Sequence, residues 1–297
     1  MSIQKLQYHI NEKLDLIPSL PAMVAKVMEI TSDPNSSTQS LWEIIRMDQA
    51  LSVNILKIAN SAFYGLSKKV GSLQHALSLL GYKEVRNLVI TQTVFQTFKD
   101  KCKFGPLDLG PYWAHAFTCA MGSQIISEYT GGEDPDLYTA CLLHDIGKLV
   151  FYMALPEAYT EMINEIGYCG HTIFETEYNF FGLTHAQIAQ SVLQKWQFPD
   201  HIVEGIAFHH HPKQARQFHF MAWAIHIIDL LVHWTDAEDQ AYSSRCEQLQ
   251  AYLLQSEIAD HFSSAGRTWN LDLLMELRQQ LLELKSRQAD IMAIFFA

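Results

Sequence analysis

The sequence predicts an all-α protein of more than ten helices, on three observations. Apolar residues recur at helical spacing, prolines stand where helices begin or separate, and period-two alternation bounded by turns is scarce. Leu73, Ala76, Leu77 and Leu80 follow the i, i+3, i+4, i+7 rhythm of one buried face. Pro18, Pro21 and Pro34 fall at helix starts or gaps, and TSDPNSST reads as a loop running into a helix start. In ALSVNILKIANSAFYG, Val53, Leu56, Lys57 and Asn60 sit among apolar neighbours. Asn60, Ser61 and Tyr64 could form a contact surface there, or dock within the chain onto the histidine-bearing half.

The best internal break is KDKCKFGPLDLGPY, residues 99–112, where a charge cluster meets two Gly-Pro pairs. A second, HWTDAEDQAYSSR around 233–245, precedes a polar, charged helical tail. The expected organisation is therefore residues 1–104, 105–240 and 241–297. The closing IMAIFFA is expected to pack a last helix onto the body, and no repeat or low-complexity tract interrupts the chain.

Bulk composition narrows the function. At 297 residues and 48% hydrophobic, the chain can build one large core or two moderate ones. Lys and Arg total 21 against 32 Asp and Glu, a net charge of −11. That balance argues against tracking duplex nucleic acid, which needs a basic face. It leaves room for a small phosphate ligand in a locally positive pocket. The five cysteines, Cys102, Cys119, Cys141, Cys169 and Cys246, are odd in number and scattered, as suits reduced thiols in a cytosol. The amphipathic start MSIQKLQYHINEKLD has no signal-peptide block, and no apolar run nears the roughly 20 residues needed to span a bilayer. A soluble, cytoplasmic protein is expected, with no membrane partner.

The chemistry gathers after residue 110. CLLHDIGKLVF, residues 141–151, sets an imidazole, a carboxylate and an ammonium within an apolar helix. Such groups are rarely buried unless paired. Solvent reaches them, other side chains satisfy them, or a cation sits there. His144 and Asp145 diverge by about 100° on a helix, yet both can reach an ion lodged against its side. Lys148, one turn on, is placed to meet an anion near that ion. His115 lies in YWAHAFTCAMG, His185 in FGLTHAQIAQSVL, and His209, His210 and His211 follow EGIAF. Asp229 interrupts FMAWAIHIIDLLVHW, where a carboxylate needs a partner or a raised pKa. The plain alternative is a bond to a buried Trp, His or backbone group.

Taken together, imidazoles and carboxylates suit one or two transition-metal ions such as Fe, Mn, Zn or Ni. His115, His144, Asp145 and Asp229 would hold the first and leave positions open. His185, His209 and His210 would make room for a second, with Asp145 bridging. Two such ions would activate water and clamp a phosphoryl group.

The order H…HD…H…HH…D resembles the HD superfamily of metal-dependent phosphohydrolases, with His144–Asp145 as the namesake doublet. More closely, the chain resembles an HDOD protein, the HD-related output domain of bacterial signalling. LIPSLPAMVAKVMEI, DQALSVNILKIANSAFYG and SLQHALSLLGYKEVRNLVI resemble that family's N-terminal half. LLHDIGKLVF and FGLTHAQIAQSVLQKWQFPDHIVEGIAFHHHP resemble its second half. The resemblance covers roughly residues 12 to 235 and implies an HD-like helical bundle with an N-terminal helical subdomain.

It also implies an output or scaffold module. Many family members have lost the HD ligands, whereas every metal position alignable here is filled. The related HD-GYP phosphodiesterases hydrolyse cyclic di-GMP and carry a Gly-Tyr-Pro loop after the paired histidines. Here HPKQARQFHF follows His210, so a typical cyclic di-GMP phosphodiesterase is not expected. The leading expectation is a signalling regulator that meets protein partners or a phosphate-containing small ligand. The alternative is a phosphohydrolase acting on a nucleotide or cyclic nucleotide, with Asp145 orienting the nucleophile and Lys148 steadying the phosphate. A nucleotide sensor without turnover is a third reading.

Overall fold

The computed structural model describes residues 19–32, 37–66, 69–99, 109–130, 134–169, 172–236, 243–255 and 268–296, with Glu12, Ile258 and Phe262. Among them no strand occurs, so the all-α expectation holds. The amphipathic N-terminal stretch, Pro18, Pro34, Cys102 and most of the 99–112 break lie outside the described residues. The chain forms two compact units. One is Met1–Ile17 with Phe104–Leu284; the other is Pro18–Lys103 with Lys285–Ala297. Residues after 240 are thus divided between the two units.

The unit from Pro18 carries α1 (Ala22–Ser32), α2 (Thr38–Ile45), α3 (Gln49–Ala59), α4 (Leu73–Leu80) and α5 (Tyr82–Lys99). Short polar side chains start these helices. Ser37, Asp48 and Ser72 accept hydrogen bonds from the amides of Ser40, Leu51 and His75, which would otherwise lack partners. Leu73, Ala76 and Leu77 are buried as their spacing foretold, whereas Leu80, at the helix end, is only half-buried; Val24, Leu41, Ile55 and Ile58 join the core. The closing IMAIFFA supplies Ile291 and Phe295, and the Phe295 ring lies 5.9 Å from that of Phe95.

The ANSAFYG segment is engaged inside this unit. Asn60 Nδ2 donates to Leu56 O at 2.7 Å and Val70 O at 2.9 Å, and Val70 N donates to Asn60 Oδ1 at 2.8 Å. Ser61 Oγ donates to Ile58 O at 2.6 Å, and Tyr64 bonds Glu84. These side chains secure a turn of their own unit, because an amide can satisfy two backbone strands at once.

The unit from Phe104 carries α6 (Gly110–Thr130), α7 (Pro135–Leu143), α8 (Ile146–Ala154), α9 (Pro156–Cys169) and α10 (Ile173–Phe181). It continues through α11 (His185–Lys195), α12 (Asp200–Ala207), a 3₁₀ turn (Pro212–Gln214), α13 (His219–Asp236) and α14 (Ser243–Leu253). Residues to Leu284 of α15 (Leu271–Phe296) complete it. Apolar faces of α6, α7, α8, α11, α12 and α13 converge on Phe117, Leu142, Leu149, Ile188, Ile206 and Ile225. No helix among the described residues is long and apolar enough to cross a membrane.

Candidate metal centre

Helix ends, rather than helix middles, aim most of the functional side chains. The sequence places His144 and Asp145 inside one apolar helix; the structure places them at a seam. α7 stops at Leu143 and α8 begins at Ile146, with Asp145 in the bridge region at φ −98°, ψ 6°. That break lets adjacent side chains share a centre instead of diverging around a continuous cylinder. Gly147 makes the seam possible. A Cβ there would stand 2.0 Å from the His185 carbonyl oxygen, so α8 and the start of α11 touch only because none exists.

His185 opens α11 behind a reciprocal cap. Thr184 accepts from Gln187 N, and the Gln187 side chain accepts from Thr184 N at 3.0 Å. Gly182, left-handed at φ 68°, ends α10 just before it. His209 and His210 follow the last turn of α12. Glu204 Oε1 holds the loop beyond them, accepting from Gln217 N at 2.7 Å, Phe218 N at 3.2 Å and Arg216 N. His115 stands in α6, and Asp229 in α13.

These elements bring the sequence-named residues together in two adjoining groups. His115, His144 and Asp229, with Cys119, have donor atoms mutually within 4.8 Å; so do Asp145, His185, His209 and His210. Asp145 stands between the groups. Its Oδ2 is 3.5 Å from His144 Nε2 and 3.9 Å from His115 Nε2, while its Oδ1 is 3.2 Å from His185 Nε2. Asp229 Oδ1 lies 3.0 Å from His115 Nε2 and 3.8 Å from His144 Nε2. Lys148 Nζ donates to Asp145 Oδ2 at 2.5 Å, so its ammonium is paired within the cluster.

Outer hydrogen bonds decide which nitrogen each ring turns inward. A carbonyl can only accept, so His144 Nδ1 donates to Cys141 O and His209 Nδ1 to Ile206 O, both at 2.6 Å. Their Nε2 atoms therefore face the centre with lone pairs in the neutral state. His185 is held likewise by Glu177, whose Oε2 accepts from His185 Nδ1 at 2.6 Å and from its backbone N at 2.7 Å. Tyr159 Oη donates to the other Glu177 oxygen at 2.9 Å. His210 Nε2 lies 2.9 Å from His185 Nε2, a spacing that asks for a shared proton or a cation between lone pairs.

Besides Cys119, two members escaped the reading of the sequence. Glu177 is fully buried, yet nothing in its segment, TEYNFFG, marks it as the partner of an imidazole. His233 lies 3.3 Å from Asp229 Oδ1 and its ring stacks on His115 at 4.7 Å. Its i, i+4 spacing from Asp229 was the available signal.

Among the described residues, buried Asp145, Asp229 and Glu177 give the centre three carboxylates against the one ammonium of Lys148. Burial opposes ionisation of Asp145, yet Lys148 and the imidazoles hold it well below the usual carboxylate range. Asp229 is likewise held down against burial by His233, His115 and His144. Burial and neighbouring imidazoles push His209 and His210 well down, which keeps both rings neutral. His144 moves up because Asp145 and Asp229 outweigh its burial: these anions call for a positive charge.

The donor set fits a divalent transition metal. His144 Nε2, His209 Nε2, Asp145 Oδ1 and Asp229 Oδ1 are buried atoms without a partner in hydrogen-bond geometry. Each orphaned polar atom costs roughly 1–3 kcal/mol, more when charged. Mixed imidazole and carboxylate donors suit Fe, Mn, Zn or Ni.

Comparison with known proteins supplies the lineage. The HDOD domain family matches residues 17–212. A Geobacter sulfurreducens HDOD domain protein of unknown function superposes with TM-score 0.78 at 20% identity, over 97% of this chain and 99% of that one. A candidate phosphohydrolase from Shewanella amazonensis SB2B does so at 0.72 and 24%, over 97% and 98%. A candidate signal transduction protein from Marinobacter aquaeolei VT8 gives 0.78 and 18%, over 99% of this chain and 66% of that one. At these identities the likeness shows the fold alone. A Treponema pallidum (strain Nichols) uncharacterized protein is 25% identical over 262 residues, 85% of this chain. The chain spans about half the length of that curated relative, 49%.

Proposed function

We infer, for a chain that belongs to the HDOD family, a role as a bacterial signal-transduction regulator built around a divalent-metal site. One observation carries the metal: buried donor atoms of His144, His209, Asp145 and Asp229 face a common centre without hydrogen-bond partners. His115, His144 and Asp229 would hold one ion and His185, His209 and His210 a second, with Asp145 between them. An ion there supplies the positive charge that the buried carboxylates lack, and Lewis acidity towards a phosphate oxygen. Glu177, Cys141 O and Ile206 O keep three imidazoles in the tautomer that presents Nε2. The signalling role rests on the family and on the fold shared with the Marinobacter protein. Signalling partners, or a phosphate-bearing small ligand, would be what the occupied site answers to.

A second reading, a metal-dependent phosphohydrolase acting on a nucleotide or cyclic nucleotide, is favoured by Asp145 and Lys148 standing 2.5 Å apart at the centre. Asp145 would orient the attacking group and Lys148 would steady the phosphate. No Gly-Tyr-Pro follows His210, which speaks against cyclic di-GMP. Elemental analysis of the purified chain, followed by phosphatase and phosphodiesterase assays with Mn and Fe, separates the two. Bound metal without turnover supports the regulator; turnover lost in Asp145→Ala supports the enzyme.

A further inference from the structure

Cys119 is the donor that the sequence pattern does not account for. It lies one helical turn after His115 in α6, 1% exposed, with its Sγ 3.5 Å from His115 Nε2. Its sulfur belongs to the same group of converging atoms as His115, His144 and Asp229, all within 4.8 Å. Independent of the thiol, His144 Nε2 and Asp229 Oδ1 point into that space, buried and without hydrogen-bond partners.

The Cys119–His115 spacing is compatible with coordination as well as with the sulfur–imidazole hydrogen bond it makes here. With Zn–S of about 2.3 Å and Zn–N of about 2.05 Å at a tetrahedral angle, sulfur and nitrogen stand about 3.6 Å apart. Nitrogen and oxygen ligands stand about 3.4 Å apart on the same reckoning, and the observed 3.0 Å and 3.8 Å for Asp229 against His115 and His144 bracket it. Asp145 stays free to face His185, 3.2 Å away, and the second group.

We propose that Cys119 is a metal ligand, joining His115, His144 and Asp229 in a one-sulfur site that takes zinc, cobalt or ferrous iron in preference to manganese. Thiolate is the softest donor in the cluster, so it shifts selectivity towards softer ions. Binding forms a metal–sulfur bond and releases the thiol proton to solvent. The inference rests on the metal-site reading above.

Cobalt tests it. The chelator-stripped chain, reloaded with Co(II), is expected to show a thiolate-to-cobalt charge-transfer band in the near ultraviolet. The band is lost in Cys119→Ser and kept in Cys169→Ser, a cysteine remote in sequence from every named donor. Should Cys119→Ser fail to fold, X-ray absorption of the zinc-loaded wild-type and Cys169→Ser chains replaces it, with one sulfur expected at about 2.3 Å. Cobalt bound without the band, or zinc with nitrogen and oxygen neighbours only, overturns the Cys119 ligand and leaves the metal site standing. A chain that binds neither ion overturns both.

Discussion

Asn60 and His144 are polar side chains at helix ends, one in each unit, and they are used in opposite ways. Asn60 turns its amide onto the Leu56 and Val70 backbone and leaves neither end idle. His144 gives one nitrogen to Cys141 O and turns the other, buried and unpartnered, towards Asp145 and Asp229. A polar group that closes its own bonds holds a fold together. One that keeps a lone pair pointing inward suits a site for a cation, which would offset the cost of burying it.

The sharpest way to break this contrast is Gly147→Ala. The added methyl meets His185 O at 2.0 Å, a backbone atom that cannot swing aside. The variant is expected to lose about 3 kcal/mol of stability in urea unfolding and nearly all metal retention. Next comes Glu177→Gln, which removes the charge that orients His185 with little change of shape. Metal affinity should weaken by about 10- to 100-fold, measured by chelator competition, while the helical circular dichroism stays.

Asn60→Ala sharpens the comparison from the other side. It should cost about 1.5 kcal/mol in unfolding free energy and leave metal content unchanged. A loss of metal there would mean the two kinds of polar group are not separate in purpose.

The smallest effect concerns Glu204. Burial works against its charge, but the amides of Gln217, Phe218 and Arg216 outweigh that and hold its pKa below the ordinary value. A depressed carboxyl stabilises the fold above its unfolded pKa, near 4.3, and that contribution fades as pH falls through the folded value. Glu204→Gln should therefore flatten the loss of stability below about pH 4, followed by thermal melts across acid pH.

Much of the centre was legible because its residue types are out of place. Asp229 within FMAWAIHIIDLLVHW, and His144–Asp145 within CLLHDIGKLVF, break apolar helices, and burial makes such breaks informative. His185 and the His209–His210 pair were readable by their order along the chain. Helix class followed from periodicity, and Leu73, Ala76 and Leu77 are buried as that spacing required. Glu177 was not readable: a carboxylate eight residues before His185 has no visible reason to turn inward until Gly182 reverses the chain between α10 and α11. The seam at Asp145 was missed for a similar reason. Helical periodicity runs through residues 141–151 without a break, and only the close approach allowed by Gly147 shows why the helix must stop. The ANSAFYG side chains read as a surface for contact because their bonding partners, Val70 and Glu84, are remote in sequence.

Equilibrium dialysis of the chelator-stripped chain against micromolar Zn, Mn, Fe or Ni, with the retained metal counted by mass spectrometry, tests the centre most directly. One to two ions per chain are expected for at least one metal, falling sharply in Asp229→Ala. Retention of none of the four by a folded wild-type chain would contradict the account.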